Sequence, residues 1–127
     1  MKILVVEDEI LIQKSLQIFL QKRGAIVDVS SSGKKAIEMI KANKYDRVVC
    51  DLMLQDITGF DVIEEAKSKY TLEQISDLFV IITAYSSQQV LDKADRYNCK
   101  VLNKPFASSK LSGSPVLNRS KLSSAAA

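Results

Sequence analysis

The stretch VVCDLML, residues 48–54, places one carboxylate, Asp51, inside an otherwise apolar run. A run this apolar predicts a buried strand. An ionised aspartate in the middle of such a strand would lose its hydration, which costs several kcal/mol unless something compensates. The sequence therefore predicts that Asp51 is the last residue of its strand and faces a polar cleft. Its neighbour Cys50 would then point to the opposite face, into the core.

Working outward from this strand, five apolar runs alternate with segments of helical periodicity. Repeated strand–helix alternation indicates βαβ units, so we expect an α/β fold with a parallel sheet covered on both faces. Gly24 is a candidate helix C-cap and Thr58 a candidate N-cap. The predicted strands are residues 2–6, 25–29, 47–50, 78–83 and 100–103.

Composition excludes several classes of protein. The chain has 127 residues, of which 46% are hydrophobic and 26% charged, as expected for one globular domain with a core. It contains no apolar run long enough to span a membrane, and Glu7 interrupts the N-terminal ILVV run too early for a secretory signal. The absence of histidine and the spacing of Cys50 and Cys99 argue against zinc sites and histidine-based catalysis. We therefore expect an intracellular protein with reduced thiols.

The net charge of +3 is unevenly distributed. All 15 acidic residues precede residue 104, whereas four basic residues lie from Lys104 onward, so residues 1–103 carry a net charge of −1. No basic stripe is present, and we expect no direct binding of nucleic acid. From Ala107 onward the chain is rich in serine and includes Gly113 and Pro115, a composition typical of a flexible linker or an expression-derived tail.

The ends of the predicted strands carry the candidate site. Glu7 and Asp8 follow the first strand, Asp51 ends the third, Thr83 the fourth, and Lys104 follows the fifth. Polar residues often end strands simply because loops begin there. Parallel strands, however, bring all five to the sheet edge where α/β proteins bind ligands. Three converging carboxylates with a lysine and a hydroxyl suit Mg²⁺ beside an oxyanion such as phosphate.

Four motifs carry a resemblance to a known family: VVEDE (5–9), CDLMLQDITG (50–59), IITAY (81–85) and NKPF (103–106). In this order and spacing, the chain from Lys2 to about Leu111 resembles the receiver domain of two-component response regulators. The resemblance implies a doubly wound, flavodoxin-like sheet of five parallel strands in the order 2-1-3-4-5. That order makes Asp8 and Asp51 neighbours.

The resemblance also implies a role for each acidic residue. Asp51 would accept a phosphoryl group from a histidine kinase or a phosphotransfer protein. Asp8, Asp51 and the backbone carbonyl of Met53 would ligate Mg²⁺, with Glu7 acting through water. The chain would then be a cytoplasmic signalling switch that assists its own phosphorylation and dephosphorylation, and not a turnover enzyme.

The remaining site residues follow from the same resemblance. Thr83 and Lys104 would bind phosphoryl oxygens. Met53 and Tyr85, two residues after Asp51 and Thr83, would tune the lifetime of the phosphorylated state. The family usually places an aromatic switch residue where this chain has Val101, so we expect a muted conformational switch.

Two further departures from the family bear on the architecture. Gln55 replaces a frequent proline, which softens the loop after the third strand. The helix that follows the fifth strand would reach about Leu111 before Gly113 and Pro115 interrupt it, so we expect it to be short or absent. The sequence predicts a receiver domain over 1–111 and a flexible tail over 112–127, with a homodimer forming through the uncovered flank.

Three other functions fit parts of the pattern. A docking module independent of phosphate would explain Val101 but not the acidic cluster. An aspartate-nucleophile phosphatase would need an acid two residues after Asp51, where this chain has Met53. A flavodoxin-like carrier of a small molecule would not need three acids around its pocket.

Overall fold

Strand and helix alternate along a computed structural model that describes residues 1–84 and 86–104. Among these residues, no helix is both long and apolar enough to cross a bilayer. The elements are β1 (Lys2–Val6), α1 (Ile10–Lys22), β2 (Ile26–Ser30), α2 (Gly33–Ala42), β3 (Arg47–Asp51), α3 (Gly59–Ala66), α4 (Leu72–Leu78), β4 (Phe79–Thr83), α5 (Gln88–Arg96) and β5 (Lys100–Asn103).

The five strands form one parallel sheet in the order β2-β1-β3-β4-β5, which confirms the predicted topology. Val6 pairs with Cys50 at the ends of β1 and β3, and Asp51 lies beside Ile82 of β4. The strand order reverses between β1 and β3. The carboxyl ends of these strands therefore border the crevice where such sheets bind ligands.

The strand side chains alternate between two apolar layers. On one face, α1 covers the sheet with Leu16 and Leu20, which pack against Ile3, Val5, Val49, Val80 and Ile82. On the other face the core includes Leu4, Val6, Val48, Cys50 and Ile81 together with buried residues of α2, α3, α4 and α5. Cys50 is fully buried there, as predicted from its position next to Asp51.

Thr58 is the N-cap of α3 as predicted, whereas the C-cap of α1 is Arg23 and the predicted Gly24 lies one residue beyond it. Gly24 follows α1 with φ of 88°, and its N–H donates to the carbonyl of Gln21 at 3.0 Å. A positive φ of this kind favours glycine because it has no Cβ. Thr58 caps α3 in a reciprocal pair with Asp61: each side chain accepts a hydrogen bond from the other's backbone N–H.

Helix α4 is not among the elements that the sequence predicts. Leu78 was assigned to the fourth strand, but it is the last residue of this short helix, and β4 begins at Phe79. Only Ile75 and Leu78 are buried along α4, so the helix shows no apolar stripe. The available signal was the pair Thr71 and Gln74, which form a capping box at its start.

Three polar groups away from the candidate site are more deeply engaged than their sequence context indicated. Asp46 accepts a hydrogen bond from the backbone N–H of Lys2 at 2.7 Å, and Asp28 accepts one from the Tyr45 hydroxyl at 2.7 Å. Both aspartates are half-buried. Arg47 is almost fully buried, and burial lowers its pKa while the charges of Asp77 and Asp46 oppose that shift.

Several predictions concern parts of the chain outside the described residues. These are the role of Tyr85, the extent of the helix after β5, the domain boundary at residue 111, the tail and the apolar flank.

Candidate functional site

Strand β1 brings Glu7 into the interior at its carboxyl end. The Glu7 N–H donates to the carbonyl of Ser30, which extends the β1–β2 pairing by one residue, and the side chain is fully buried. Its Oε1 accepts the N–H of Glu9 at 3.1 Å. Asp8, the next residue, is half-buried. The loop after β1 therefore presents two carboxylates of unequal exposure.

Strand β3 ends at Asp51, as the stretch VVCDLML (48–54) predicts. The Asp51 residue is only 4% exposed. Its Oδ1 accepts the N–H of Met53 at 3.2 Å, and its Oδ2 accepts a hydrogen bond from Lys104 Nζ at 3.0 Å. The next residue, Leu52, continues the pairing with β4 through its N–H to the carbonyl of Ile82. Both carboxylate oxygens are thus oriented by specific donors.

The loop after Asp51 folds back tightly on its own start. The Gly59 N–H donates to the carbonyl of Leu52 at 2.9 Å, and Met53 bridges to Thr58. A Cβ at position 59 would lie 2.9 Å from the backbone oxygen of Asp51, so this close approach requires glycine. The Met53 side chain is 65% exposed.

Strands β4 and β5 bring the other two predicted residues to the same edge. Thr83 is fully buried at the end of β4, and its carbonyl accepts the N–H of Lys104 at 2.8 Å. The Lys104 Nζ lies 2.8 Å from Glu7 Oε2 and 3.0 Å from Asp51 Oδ2. One ammonium group is therefore shared by two buried carboxylates.

The electrostatics of the site are unbalanced. Burial raises the pKa of Glu7; the Lys104 contact opposes this shift, and the negative charge of Asp51 adds to it. Burial alone would lower the pKa of Lys104, but its hydrogen bonds and charge contacts with Glu7 and Asp51 outweigh burial and raise it. Three acids around one lysine leave an excess of negative charge that favours a cation.

The residues fit a divalent cation. Carboxylate oxygens of Glu7, Asp8 and Asp51 all lie within 4.8 Å of one another. Glu7 Oε2 is buried and, apart from its ion pair with Lys104, accepts no hydrogen bond from the described residues. Hard oxygen donors at this density are the ligands that Mg²⁺ prefers. Met53 lies beside this cluster, with its N–H engaged by Asp51.

Sequence reasoning missed two residues that support the site. Gln13 of α1 is buried, and its side-chain amide donates to the carbonyl of Glu7 at 2.9 Å and to the Ser31 hydroxyl at 3.3 Å. Lys14 and Ser15 also lie between the apolar Ile12 and Leu16, so no local pattern distinguishes Gln13. Asp56 is exposed, and its carboxylate accepts hydrogen bonds from the backbone N–H groups of Gly33 and Lys34 at the start of α2.

Val101 lies half-buried in β5 and packs against the apolar layer that contains Cys50. Val101 takes no part in the nearby aromatic contact, which is formed by Phe60 and Tyr97. Tyr97, just after α5, stacks on Phe60 of α3 with ring centroids 6.0 Å apart and donates a hydrogen bond to Glu64. This contact links the helix after β4 to the helix after the Asp51 loop.

Comparison with known proteins adds an independent line of evidence. Residues 3–114 match the family model of the response regulator receiver domain. The aerobic respiration control sensor protein ArcB of Escherichia coli K12 is 34% identical over 113 residues, which cover 84% of this chain and 14% of ArcB. The transcriptional regulatory protein QseB of Haemophilus influenzae is 35% identical over 115 residues, covering 84% and 47%. The chain thus spans less than half the length of either curated relative.

Solved structures give the same result. The response regulator TrrA of Thermotoga maritima, in complex with Mg²⁺ and BeF, is 26% identical with a TM-score of 0.74, covering 98% of this chain and 97% of TrrA. A CheY-like receiver domain protein of Methanospirillum hungatei has a TM-score of 0.81 at 18% identity, covering 98% and 94%. The second likeness is one of fold alone.

Proposed function

The chain belongs to the response regulator receiver domain family of two-component systems, and from this membership we propose that it is a phosphorylatable switch whose acceptor is Asp51. Receiver domains are in general regulatory, and the partners we propose are a histidine kinase or a phosphotransfer protein. The observation that carries the proposal is the position of the Asp51 carboxylate, beside two other acids and 3.0 Å from Lys104 Nζ.

The proposed reaction is an in-line transfer from a phosphohistidine. An oxygen of Asp51 forms a bond to phosphorus while the N–P bond breaks and its electron pair stays on the imidazole nitrogen. The Met53 N–H on Oδ1 holds the carboxylate in one orientation. Lys104 contacts Oδ2, so that contact has to be given up if Oδ2 is the attacking oxygen.

We propose that Asp8, Asp51 and the backbone carbonyl of Met53 hold Mg²⁺, with Glu7 contributing through water. When bound, the ion neutralises negative charge on the carboxylates and on the incoming phosphoryl oxygens. The excess of negative charge in the cluster supports this assignment, because a cation would relieve the repulsion between carboxylates.

In the same proposal, Lys104 and Thr83 bind phosphoryl oxygens once transfer has occurred. The Lys104 ammonium already lies in the site and needs only to exchange a carboxylate partner for a phosphoryl one. Met53 and Tyr85 set the lifetime of the acyl phosphate. Met53 has no group that can orient an attacking water, and the bulky side chain of Tyr85 would shield the site, so we propose that this lifetime is long.

The proposal extends to the context of the domain. We propose that residues 1–111 form the receiver unit, that residues 112–127 form a tail, and that the protein works in the cytoplasm.

One observation favours a second function. Val101 stands where the family usually has an aromatic switch residue, which favours a docking module whose signalling does not depend on phosphate. The cluster of Glu7, Asp8 and Asp51 supports the phosphorylation proposal over this alternative, because such a module has no need of buried, unbalanced acids.

The test is phosphorylation by a small phosphodonor such as acetyl phosphate in Mg²⁺, followed by intact mass. We expect one adduct, which does not form in Asp51→Asn, in Asp8→Ala or when a chelator is present during the incubation. Asp28→Asn is the matched control, because Asp28 is a half-buried acid away from the site, and it should keep the adduct. An adduct of equal yield in Asp51→Asn would rule out the assignment.

A further inference from the structure

The loop that follows Asp51 is attached to the start of α2 at its tip. The carboxylate of Asp56 accepts hydrogen bonds from the Ser32 hydroxyl at 2.8 Å and from the N–H groups of Gly33 and Lys34 at 3.0 Å each. The first N–H groups of a helix have no partner within the helix, and a negative charge there is favourable. An acid from a distant segment therefore completes the cap of α2.

Apolar contacts reinforce this attachment. A Cβ at position 33 would lie 2.5 Å from Ile57 Cγ1 and 3.0 Å from Leu54 Cδ1, so both loop side chains pack directly on the Gly33 backbone. Leu54 and Ile57 also pack against the apolar layer that contains Cys50. The loop tip is thus held by both polar and apolar contacts.

The other end of the loop is held independently. Met53 bridges to Thr58, and Gly59 donates to the carbonyl of Leu52. Met53 is part of this closure, and Leu54 begins the segment that leads to the attachment at Asp56. The peptide unit between Met53 and Leu54 therefore joins two parts of the loop that are each held in place.

We propose that Asp56 is a positioning residue for Mg²⁺ binding, because its attachment to α2 fixes the Met53 peptide whose carbonyl is assigned to the ion. This inference rests on the proposed function of the site. A simple helix cap would stabilise the fold without affecting the ion. Some residues hold a metal ligand in place without binding the metal themselves. Removing such a residue typically lowers the affinity for the metal.

The experiment is a titration of the full chain with Mg²⁺ alone, in which binding is measured by calorimetry and by amide NMR. We expect Asp56→Ala to weaken Mg²⁺ binding by about 10-fold, the lower end of the effect of removing such residues. Asp56→Asn keeps one acceptor oxygen and should recover part of this loss. In the ion-free protein, Asp56→Ala should also broaden the amide resonances of Met53 and Leu54.

Thr71→Ala is the matched control. It removes a side-chain cap from α4, where Thr71 accepts the N–H of Gln74, and should lower stability without changing Mg²⁺ affinity. If Asp51→Asn abolishes Mg²⁺ binding but Asp56→Ala and Asp56→Asn bind as wild type does, this inference is wrong and the proposed function stands. If the wild-type chain binds no Mg²⁺, the metal part of the proposed function fails and this inference fails with it.

Discussion

At the scale of single residues, one lysine compensates two buried carboxylates. Lys104 contacts both Glu7 and Asp51. Asp8 adds a third acid, with a carboxylate oxygen within 4.8 Å of those of Glu7 and Asp51. Buried charges without full compensation lower the stability of a fold. Sites that need such charges for their chemistry commonly retain them at the expense of stability.

This imbalance predicts that Glu7→Gln stabilises the protein in the absence of divalent ions. Removing one of the acids leaves Asp51 paired with Lys104, so we expect the free energy of unfolding to rise by about 1 kcal/mol. Urea denaturation in a chelator measures it, with the exposed Glu9→Gln as control. A lower stability for Glu7→Gln would show that the Glu7–Lys104 pair is net stabilising.

The site residues themselves could be predicted because parallel strands bring their carboxyl ends to one edge. Asp51, Thr83 and Lys104 were each identified from their position after an apolar run. The roles of Gln13 and Asp56 could not be predicted in this way. Their partners lie on other elements, and the pairing depends on a tertiary arrangement that no local pattern encodes.

At the scale of elements, burial decided what could be predicted. Strands β1, β3 and β4 are largely apolar and are buried along almost their whole length, and the bounds of all five strands lie within one residue of the predicted ones. Helix α4 was missed because a helix of seven residues with only two buried side chains produces no periodic apolar stripe in the sequence. Its capping box, Thr71 with Gln74, was the only local evidence for it that we can identify.

The cap of α2 predicts a specific dependence of stability on pH. Hydrogen bonds from the N–H of Lys34 above all, and also from Gly33 and Ser32, hold the pKa of Asp56 well below its usual range. A lowered folded-state pKa stabilises the fold above the unfolded pKa of about 3.9, and this contribution is lost as pH falls below that value.

We therefore expect Asp56→Ala to lower the free energy of unfolding by about 1 kcal/mol near neutral pH. The difference from wild type should shrink as the pH is lowered below about 4. Urea denaturation over a pH series measures this. The Thr71→Ala difference should not change with pH, because a hydroxyl does not titrate in this range. A pH-independent Asp56→Ala difference would contradict the role of the carboxylate charge.

The elements beside β5 predict a muted switch. Val101 offers little side-chain volume to rearrange, and α5 is tied to α3 through Phe60, Glu64 and Tyr97. A ligand shifts a conformational equilibrium only through contacts that differ between the two states. With Mg²⁺ and beryllofluoride, we expect amide shifts to concentrate near Asp51 and to be small around Val101 and α5. Large shifts there would contradict this prediction.

At the scale of the whole molecule, the two faces of the sheet are covered unequally. Among the described residues, α1 alone packs on the layer that contains Val5, whereas α2, α3, α4 and α5 contribute to the opposite layer. In the predicted architecture the helix after β5 would cover the rest of the first face. Gly113 and Pro115 disfavour a long helix there by about 1 and 3 kcal/mol.

We therefore expect the chain to self-associate through this flank, most simply as a two-fold dimer. Light scattering on the full chain and on a chain ending at Ser112 measures this, and both should show a dimer that dissociates on dilution. A monomer at high concentration, with residues 112–127 protected from proteolysis, would instead indicate that the tail folds back over the flank.

Chemical trapping can locate the phosphoryl group that we propose Asp51 to accept. Borohydride reduces an aspartyl phosphate to homoserine, which marks the acceptor permanently. After treatment with acetyl phosphate and Mg²⁺, fragmentation of the tryptic peptide 48–67 locates the mark among Asp51, Asp56 and Asp61. We predict homoserine at position 51, dependent on both the phosphodonor and Mg²⁺. Homoserine at another aspartate, or none in protein whose mass shows the adduct, would rule out Asp51 as the acceptor.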